Sequence, residues 1–570
     1  MSETASLLPG CGRVPVWAPH AERVELARPE GREPMVRADD GWWLAPQELP
    51  AGSRYAFVLD GAGPFPDPRS PFQPEGVSSW SMTVEAVCPP PATPTPRVLG
   101  GVLYELHVGT FTPEGTLDAA AARLDHVRDL GVDTVELMPV ASFPGRNGWG
   151  YDGVALYSVH AAYGGPDAYR RFVEAAHDRG LGVCQDLVLN HLGPQGNYLA
   201  QFGPYFTSRH PTPWGEGFNL DGDDCAAVRD YLIGAAHYLY ACLGVDALRL
   251  DAVHAIADDS PLHLLAELSQ RRHEWTARLG RDLTLIAESD LNDDQMITPV
   301  ERGGMGMDGQ WDDDVHHALH VAFTGETHGY YSDFADAGAL EKVYGEAFFH
   351  NGTYSSFRGR DWGKPLSPHT KLDRFVVFTQ NHDQVGNRAI GDRPHEKLSL
   401  IEAGSQAALC LLGPFTPMLF MGEEWATSTP FQFFTDFSDA DLAQAVSEGR
   451  LREFSGHGWE EIYSGSVTVP DPQDHSTREA SVLTWEERCD GPHADMLAWY
   501  RRLIELRRAY PCTMHELKRC EEGLSLSRGD LTVVVSRLSE DRPLPEGRVL
   551  ATWPPESSSL VAGGCVVVER

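Results

Sequence analysis

Between residues 102 and 425 the chain repeats one unit, a short apolar run followed by a segment with apolar residues three and four apart. This repeat constrains the fold more than any other feature. The first run is Val102-Leu103-Tyr104-Glu105-Leu106-His107-Val108, and Leu117, Leu124, Val127 and Leu130 mark a helix after it that Gly131 ends. Further runs occupy 134–139, 182–190, 244–251, 283–288, 374–381 and 417–421, with a short and weakly marked one at Gly309-Gln310-Trp311. Alternating strand and helix units imply a parallel sheet covered on both faces, and eight of them close most economically into a barrel.

The flanks read differently. From 13 to 95 short apolar runs such as Trp42-Trp43-Leu44 and Tyr55-Ala56-Phe57-Val58-Leu59 alternate with turn signals, which suggests a small β-sandwich. The proline-rich stretch from Pro89 to Pro96 is a linker. After a last amphipathic helix carrying Leu497, Tyr500, Leu503 and Leu506, short β-rich runs fill the tail. The expected architecture is therefore an α/β chain: an N-terminal β-sandwich (1–96), a (β/α)8 TIM barrel (97–510) and a small C-terminal β-domain (511–570). A Gly-, Pro- and aromatic-rich excursion at 192–225 follows the third strand and is expected to lie over the mouth.

A formal charge of -36 opposes nucleic acid, anionic membranes and phosphate-rich partners, so a neutral substrate fits better. Ten cysteines lie scattered without a CxxC pair, several in apolar segments, and read as thiols of a reducing compartment. No run of 18 apolar residues and no basic-then-apolar leader is present. A cytoplasmic protein without membrane contact or obligate protein partner is expected.

The chemistry concentrates at strand ends. In a strand at 244–251 side chains alternate, so Arg249 and Asp251 share one face and Leu248 and Leu250 the other. In a barrel this pair meets Asn190-His191, Glu288 and His382-Asp383 at one mouth. A neighbouring guanidinium keeps Asp251 ionised, as a nucleophile requires. Glu288 ends an apolar run near that charge, so its pKa should rise and leave it a general acid. Asp251 would then attack an anomeric carbon in a retaining mechanism with carboxyls roughly 5–5.5 Å apart. Asp383 is left to orient sugar hydroxyls and stabilise the oxocarbenium-like transition state, with His191 and His382 placed to hydrogen-bond those hydroxyls.

Asp186-Leu187-Val188-Leu189-Asn190-His191, Leu248-Arg249-Leu250-Asp251-Ala252-Val253-His254, Ile286-Ala287-Glu288-Ser289 and Gln380-Asn381-His382-Asp383 resemble, in order, the four signature regions of the alpha-amylase family of glycoside hydrolases. The resemblance implies Asp251 as nucleophile, Glu288 as acid/base and Asp383 as transition-state stabiliser. Trp149-Gly150-Tyr151-Asp152 is similar to the group shared by glycogen branching enzymes, isoamylases and trehalose-forming hydrolases, and Phe323 to Tyr331, Gln380 to Arg388 and Thr429 to Asp436 narrow the resemblance to the trehalose-forming hydrolases. These cleave the α-1,4 bond next to the terminal trehalose of maltooligosyltrehalose, an α-glucan substrate. The same similarity implies substrate contacts at Tyr151, His191, Arg249, His254, Asp313, His316, His317, His382, Gln384 and Asn387. His254 stands where many amylases carry Lys. No clear calcium-binding excursion is legible, and neither metal nor cofactor is expected. Three alternatives stay open: a glycogen branching enzyme with the same carboxylates, a metal-dependent barrel hydrolase using His316 and His317 behind Asp312-Asp313-Asp314, and a non-catalytic glucan binder stacking sugars on Trp149, Tyr151 and Trp214.

Overall fold

Eight parallel strands close a barrel in sequence order: β1 (Leu103–Leu106), β2 (Thr134–Leu137), β3 (Gly182–Leu187), β4 (Ala247–Leu250), β5 (Thr284–Ala287), β6 (Gly309–Trp311), β7 (Phe375–Val377) and β8 (Thr416–Phe420), which pairs back to β1. The computed structural model describes residues 12–85, 96–212, 215–455, 463 and 467–570. Trp214 and most of the proline-rich linker lie outside the described residues.

The strands are shorter than the apolar runs that announce them, because the C-terminal residues leave the ladder to build the mouth. After β7, Asn381 is already the cap of the short helix His382–Gly386, its side chain accepting the Gln384 N–H at 2.7 Å. Strand alternation sorts the rest. Leu248 and Leu250 point outward into the main core under the helices, while Leu103, Cys184, Ala247, Ile286, Trp311, Val376, Phe378 and Met418 fill the barrel as an apolar plug. Two residues on from that plug the inward positions turn polar, giving Glu105 on β1, Asp186 on β3 and Arg249 on β4, with Glu136 of β2 paired between β1 and β3. A charged layer therefore lies directly beneath the mouth.

The N-terminal unit consists of a three-stranded and a five-stranded antiparallel sheet. It rests on the excursion after β3, which carries the helix Leu199–Phe202 and a hairpin of Phe206–Thr212 with Gly215–Phe218. Trp17 meets Tyr205 edge-on at 5.3 Å, Phe57 meets Phe202 at 6.1 Å and Phe65 meets Tyr198 at 5.6 Å. Arg69 adds a buried guanidinium between the Trp42 and Tyr157 rings, 5.2 and 5.6 Å away.

At the other end a five-stranded antiparallel sheet packs on the helices Leu400–Leu412 and Gly491–Ala509. Trp499 and Trp553 stack there at 5.5 Å. A Cβ at Gly404 would lie 2.2 Å from the Trp553 indole nitrogen, so only glycine permits this approach. The apolar runs in the tail mark three of these strands, whereas polar His515–Arg519 carries no comparable signal. The eight described cysteines are all free thiols. No helix among the described residues is long and apolar enough to cross a membrane.

Phe202 is 2% exposed beneath rings of the N-terminal sheet. Phe202→Ala should destabilise the chain by about 3–5 kcal/mol, read as a lower urea midpoint. An unchanged midpoint would show that the sandwich rests on the excursion without stabilising it.

Candidate active site

At the C-terminal end of the barrel strands lies a cavity of about 620 Å³. Asp251, Glu288 and Asp383 all line it, together with Tyr151, His191, His254 and Asn387. Asp251 directly follows β4 and Glu288 directly follows β5, so the sheet register itself brings them together. Between them the chain turns sharply at Ala252, which sits in the left-handed region at φ 39°, a conformation that strains a residue with a Cβ. The turn aims the Ala252 N–H at Glu288 Oε2, 2.6 Å away.

Arg249 organises the carboxylates. Its Nη1 lies 2.6 Å from Asp186 Oδ2 and 2.9 Å from Asp251 Oδ1, and its Nη2 lies 3.3 Å from Glu288 Oε2. The Trp311 ring sits 4.3 Å from the guanidinium carbon. Asn190 Nδ2 donates to the other oxygen of Asp251 at 2.9 Å, so both Asp251 oxygens are held. Burial pulls the Arg249 pKa down, but Asp186, Tyr151, Glu288 and Asp251 more than reverse this and leave it a permanent cation.

The pKa of Glu288 is pushed up to about 8, chiefly by burial. Arg249 opposes the shift, and Asp251 and Asp383 add to it. Of the two causes the sequence suggests, the apolar setting and the Asp251 charge, desolvation is the larger. Asp383 is the exposed member, its side chain 42% accessible, with Asn387 Nδ2 at 3.3 Å and His382 Nε2 at 3.5 Å.

Three of the expected substrate contacts, Arg249, His382 and His316, are buried, and a fourth, His317, stands off the cavity. Arg249 is fully enclosed and touches carboxylates beneath the cavity floor. His382 is 1% exposed, with Nδ1 on Glu105 and Nε2 on Tyr151. His316 is also fully buried among His317, His320, Tyr331 and Phe378, and burial pushes its imidazole well below the usual range. His317 packs on Tyr330, Tyr331 and Phe334 and does not line the cavity. All four sit on elements that end at the mouth, so strand-end position alone could not separate lining from support. Asp313 and Gln384 also stand off the cavity lining; Gln384 Nε2 donates to Asp313 at 3.3 Å, and Asp313 feels the Asp383 charge.

Two of the three aspartates before His316 are engaged within the protein. Asp312 caps the helix Asp313–Thr324, and Asp314 accepts from Asn292 Nδ2 and the Phe349 N–H, both at 2.7 Å. His210, Asp221 and Asp259 do converge, within 4.8 Å. Arg209 lies 3.1 Å from Asp221 and 3.6 Å from Asp259, so a side-chain cation already serves this group. It fits a salt-bridge cluster better than a metal site.

The sequence reading gave no role to Asp186 and missed Glu105 and Glu136 of the support layer, and an apolar wall of Phe433, Phe437, Leu442 and Val446. Strand alternation from Leu103 and Cys184 would have found Glu105 and Asp186. The aromatic run from Phe431 to Phe437 after β8 marked the wall.

Comparison with known proteins agrees with this geometry. The model of the alpha amylase catalytic domain matches residues 79–210. A solved structure described as an alpha amylase from Salmonella typhimurium superposes with a TM-score of 0.88 at 36% identity, covering 98% of this chain and 99% of that one. The chain is thus a glycoside hydrolase of the alpha-amylase class. Within it, a malto-oligosyltrehalose trehalohydrolase from Arthrobacter ramosus is 50% identical over 95% of both chains. Another from Mycobacterium tuberculosis is 44% identical over 94% of this chain and 95% of its own. The chain belongs to the malto-oligosyltrehalose trehalohydrolase family.

Glu136 provides a test of the buried layer. Burial first, then the Glu105 charge, raises its carboxyl from 4.5 to about 8. A raised carboxyl contributes stability that is full below its unfolded pKa and is lost as pH rises through the folded value. Glu136→Gln, which cannot ionise, should therefore flatten the decline in urea-unfolding free energy between about pH 4.5 and 8. Parallel curves for the two proteins would mean that Glu136 does not titrate in this range.

Proposed function

We propose that the chain hydrolyses the α-1,4 bond next to the terminal trehalose of maltooligosyltrehalose, releasing trehalose and a shortened maltooligosaccharide. Asp251 serves as nucleophile, Glu288 as acid/base and Asp383 as stabiliser of the transition state. One observation carries this division of labour: a single buried guanidinium touches both Asp251 and Glu288, while burial keeps Glu288 protonated to about pH 8.

Asp251, held by Arg249 and Asn190, attacks the anomeric carbon and forms a glycosyl ester as the glycosidic C–O bond breaks. Glu288 gives its proton to the departing oxygen of trehalose. It then takes a proton from water, whose oxygen attacks the same carbon and releases Asp251. Two carboxyls within the span of one guanidinium suit this retaining course, because an inverting pair needs room for water between them. Asp383, unpaired with Arg249, faces the positive charge that develops on the ring. Tyr151, Trp149 and Phe433 offer ring surfaces for sugars, and His191, His254 and Asn387 offer polar contacts, with Asp313 and Gln384 near the leaving sugar. The free thiols support a reducing, cytoplasmic setting.

Purified protein with chelator, given maltopentaose and the same chain ending in trehalose, should release trehalose from the second and cleave the first poorly. Longer or branched products would instead identify a branching enzyme, and loss of activity with chelator a metal hydrolase. Glu288→Gln should lower kcat by roughly 10²–10⁴. The wild-type kcat/KM should fall above about pH 8, where Glu288 loses its proton. The newly freed reducing end should appear first as the α-anomer by NMR; the β-anomer would refute a retaining course.

A further inference from the structure

The proposed catalytic scheme gives no work to Glu105, although this side chain, 1% exposed, sits on β1 beneath the cavity. Its Oε1 lies 2.5 Å from His382 Nδ1, and its Oε2 accepts the His382 backbone N–H at 3.0 Å. The other ring nitrogen, Nε2, lies 2.8 Å from the Tyr151 hydroxyl and 3.5 Å from Asp383. The Tyr151 hydroxyl is in turn 2.6 Å from Asp186 Oδ2, which Arg249 also holds at 2.6 Å.

We propose that Glu105 is a positioning residue that keeps the His382 imidazole doubly protonated, and so fixes the direction of the hydrogen-bond chain holding Tyr151 and Asp383 at the reacting sugar. The inference rests on the role assigned above to Asp383. Proton counting supports it. If Nε2 carries a proton, it donates to the Tyr151 oxygen, Tyr151 donates to ionised Asp186, and every contact joins a donor to an acceptor. If Nε2 is bare, Tyr151 must donate to it, and Asp186 then faces an oxygen lone pair at 2.6 Å.

The charges around the ring act in the same sense. Burial and Arg249 of β4 oppose protonation of His382, whereas Glu105 and adjacent Asp383 favour it, and neighbouring His107, its pKa lowered to about 3 chiefly by burial, adds no charge. The balance raises its pKa to about 9. The other rings packed on it, Trp149, Tyr151 and Trp311, carry no formal charge. An imidazolium paired with Glu105 adds no net charge, so it orients Asp383 without opposing positive charge on the sugar.

Glu105→Gln preserves shape but inverts the preference. With its oxygen on the His382 backbone N–H, the amide NH2 faces Nδ1 as a donor and suits a neutral ring. Long-range ¹H–¹⁵N spectra of the full chain, assigned with His382→Asn, should show both His382 nitrogens protonated at pH 7.5 in the wild type and one bare in Glu105→Gln. The alkaline limb of the kcat/KM profile should move down by about one pH unit or more in Glu105→Gln, with activity near pH 5.5 largely kept, and Glu105→Asp should restore the limb. In a His382→Asn background, Glu105→Gln should cost nothing further. A neutral wild-type His382, which needs no variant to detect, would overturn the proposal. So would an equal loss of activity at every pH, or additive losses in the double variant. The imidazole spectrum does not depend on turnover, so it stands whether or not Asp383 has the assigned role.

Discussion

One guanidinium holds the mouth of this barrel together. Arg249 is buried without contact to water, and an isolated charge there would be strongly unfavourable. Asp186, Asp251 and Glu288 surround it, and the Trp311 ring covers one face. The arrangement works in both directions. The cation needs its carboxylates to be buried, and the carboxylates need the cation to stand so close to one another. Removing it would leave like charges crowded in a low-dielectric site, so the geometry of Asp251 and Glu288 is a property of Arg249 as much as of either acid.

Much of this was legible in the sequence because it depends on local rules. Period-two alternation places Arg249 and Asp251 inside and Leu248 and Leu250 outside, and strand-end polarity picks out Glu288 and Asp383. What could not be read was depth. His316 and His382 are as close to strand ends as Asn387, yet they are enclosed, because aromatic neighbours from distant segments close over them. The weight of burial in the Glu288 shift was illegible for the same reason: burial is a property of the assembled barrel, whereas a neighbouring charge can be guessed from spacing.

The flanking units show a similar limit. Turn signals and alternating runs predict a β-rich N-terminal unit, but the excursion it rests on looks structureless in sequence. Its Tyr198, Phe202 and Tyr205 rings find partners in Phe65, Phe57 and Trp17, more than a hundred residues earlier. Tertiary contact, not local propensity, orders that stretch.

Around the mouth and the layer beneath it, six carboxyls (Glu105, Glu136, Asp186, Asp251, Glu288 and Asp383) face two cationic side chains, Arg249 and His382. The chain as a whole carries -36. A neutral glucan diffusing toward such a surface is neither attracted nor repelled, so its capture should be indifferent to ionic strength. A sugar-like molecule bearing a protonated amine meets a different protein: the same field draws it in and the cavity holds an excess of acids to receive it. Selectivity for cationic imitators of the sugar is thus built into the electrostatics of the whole molecule, although no single residue encodes it.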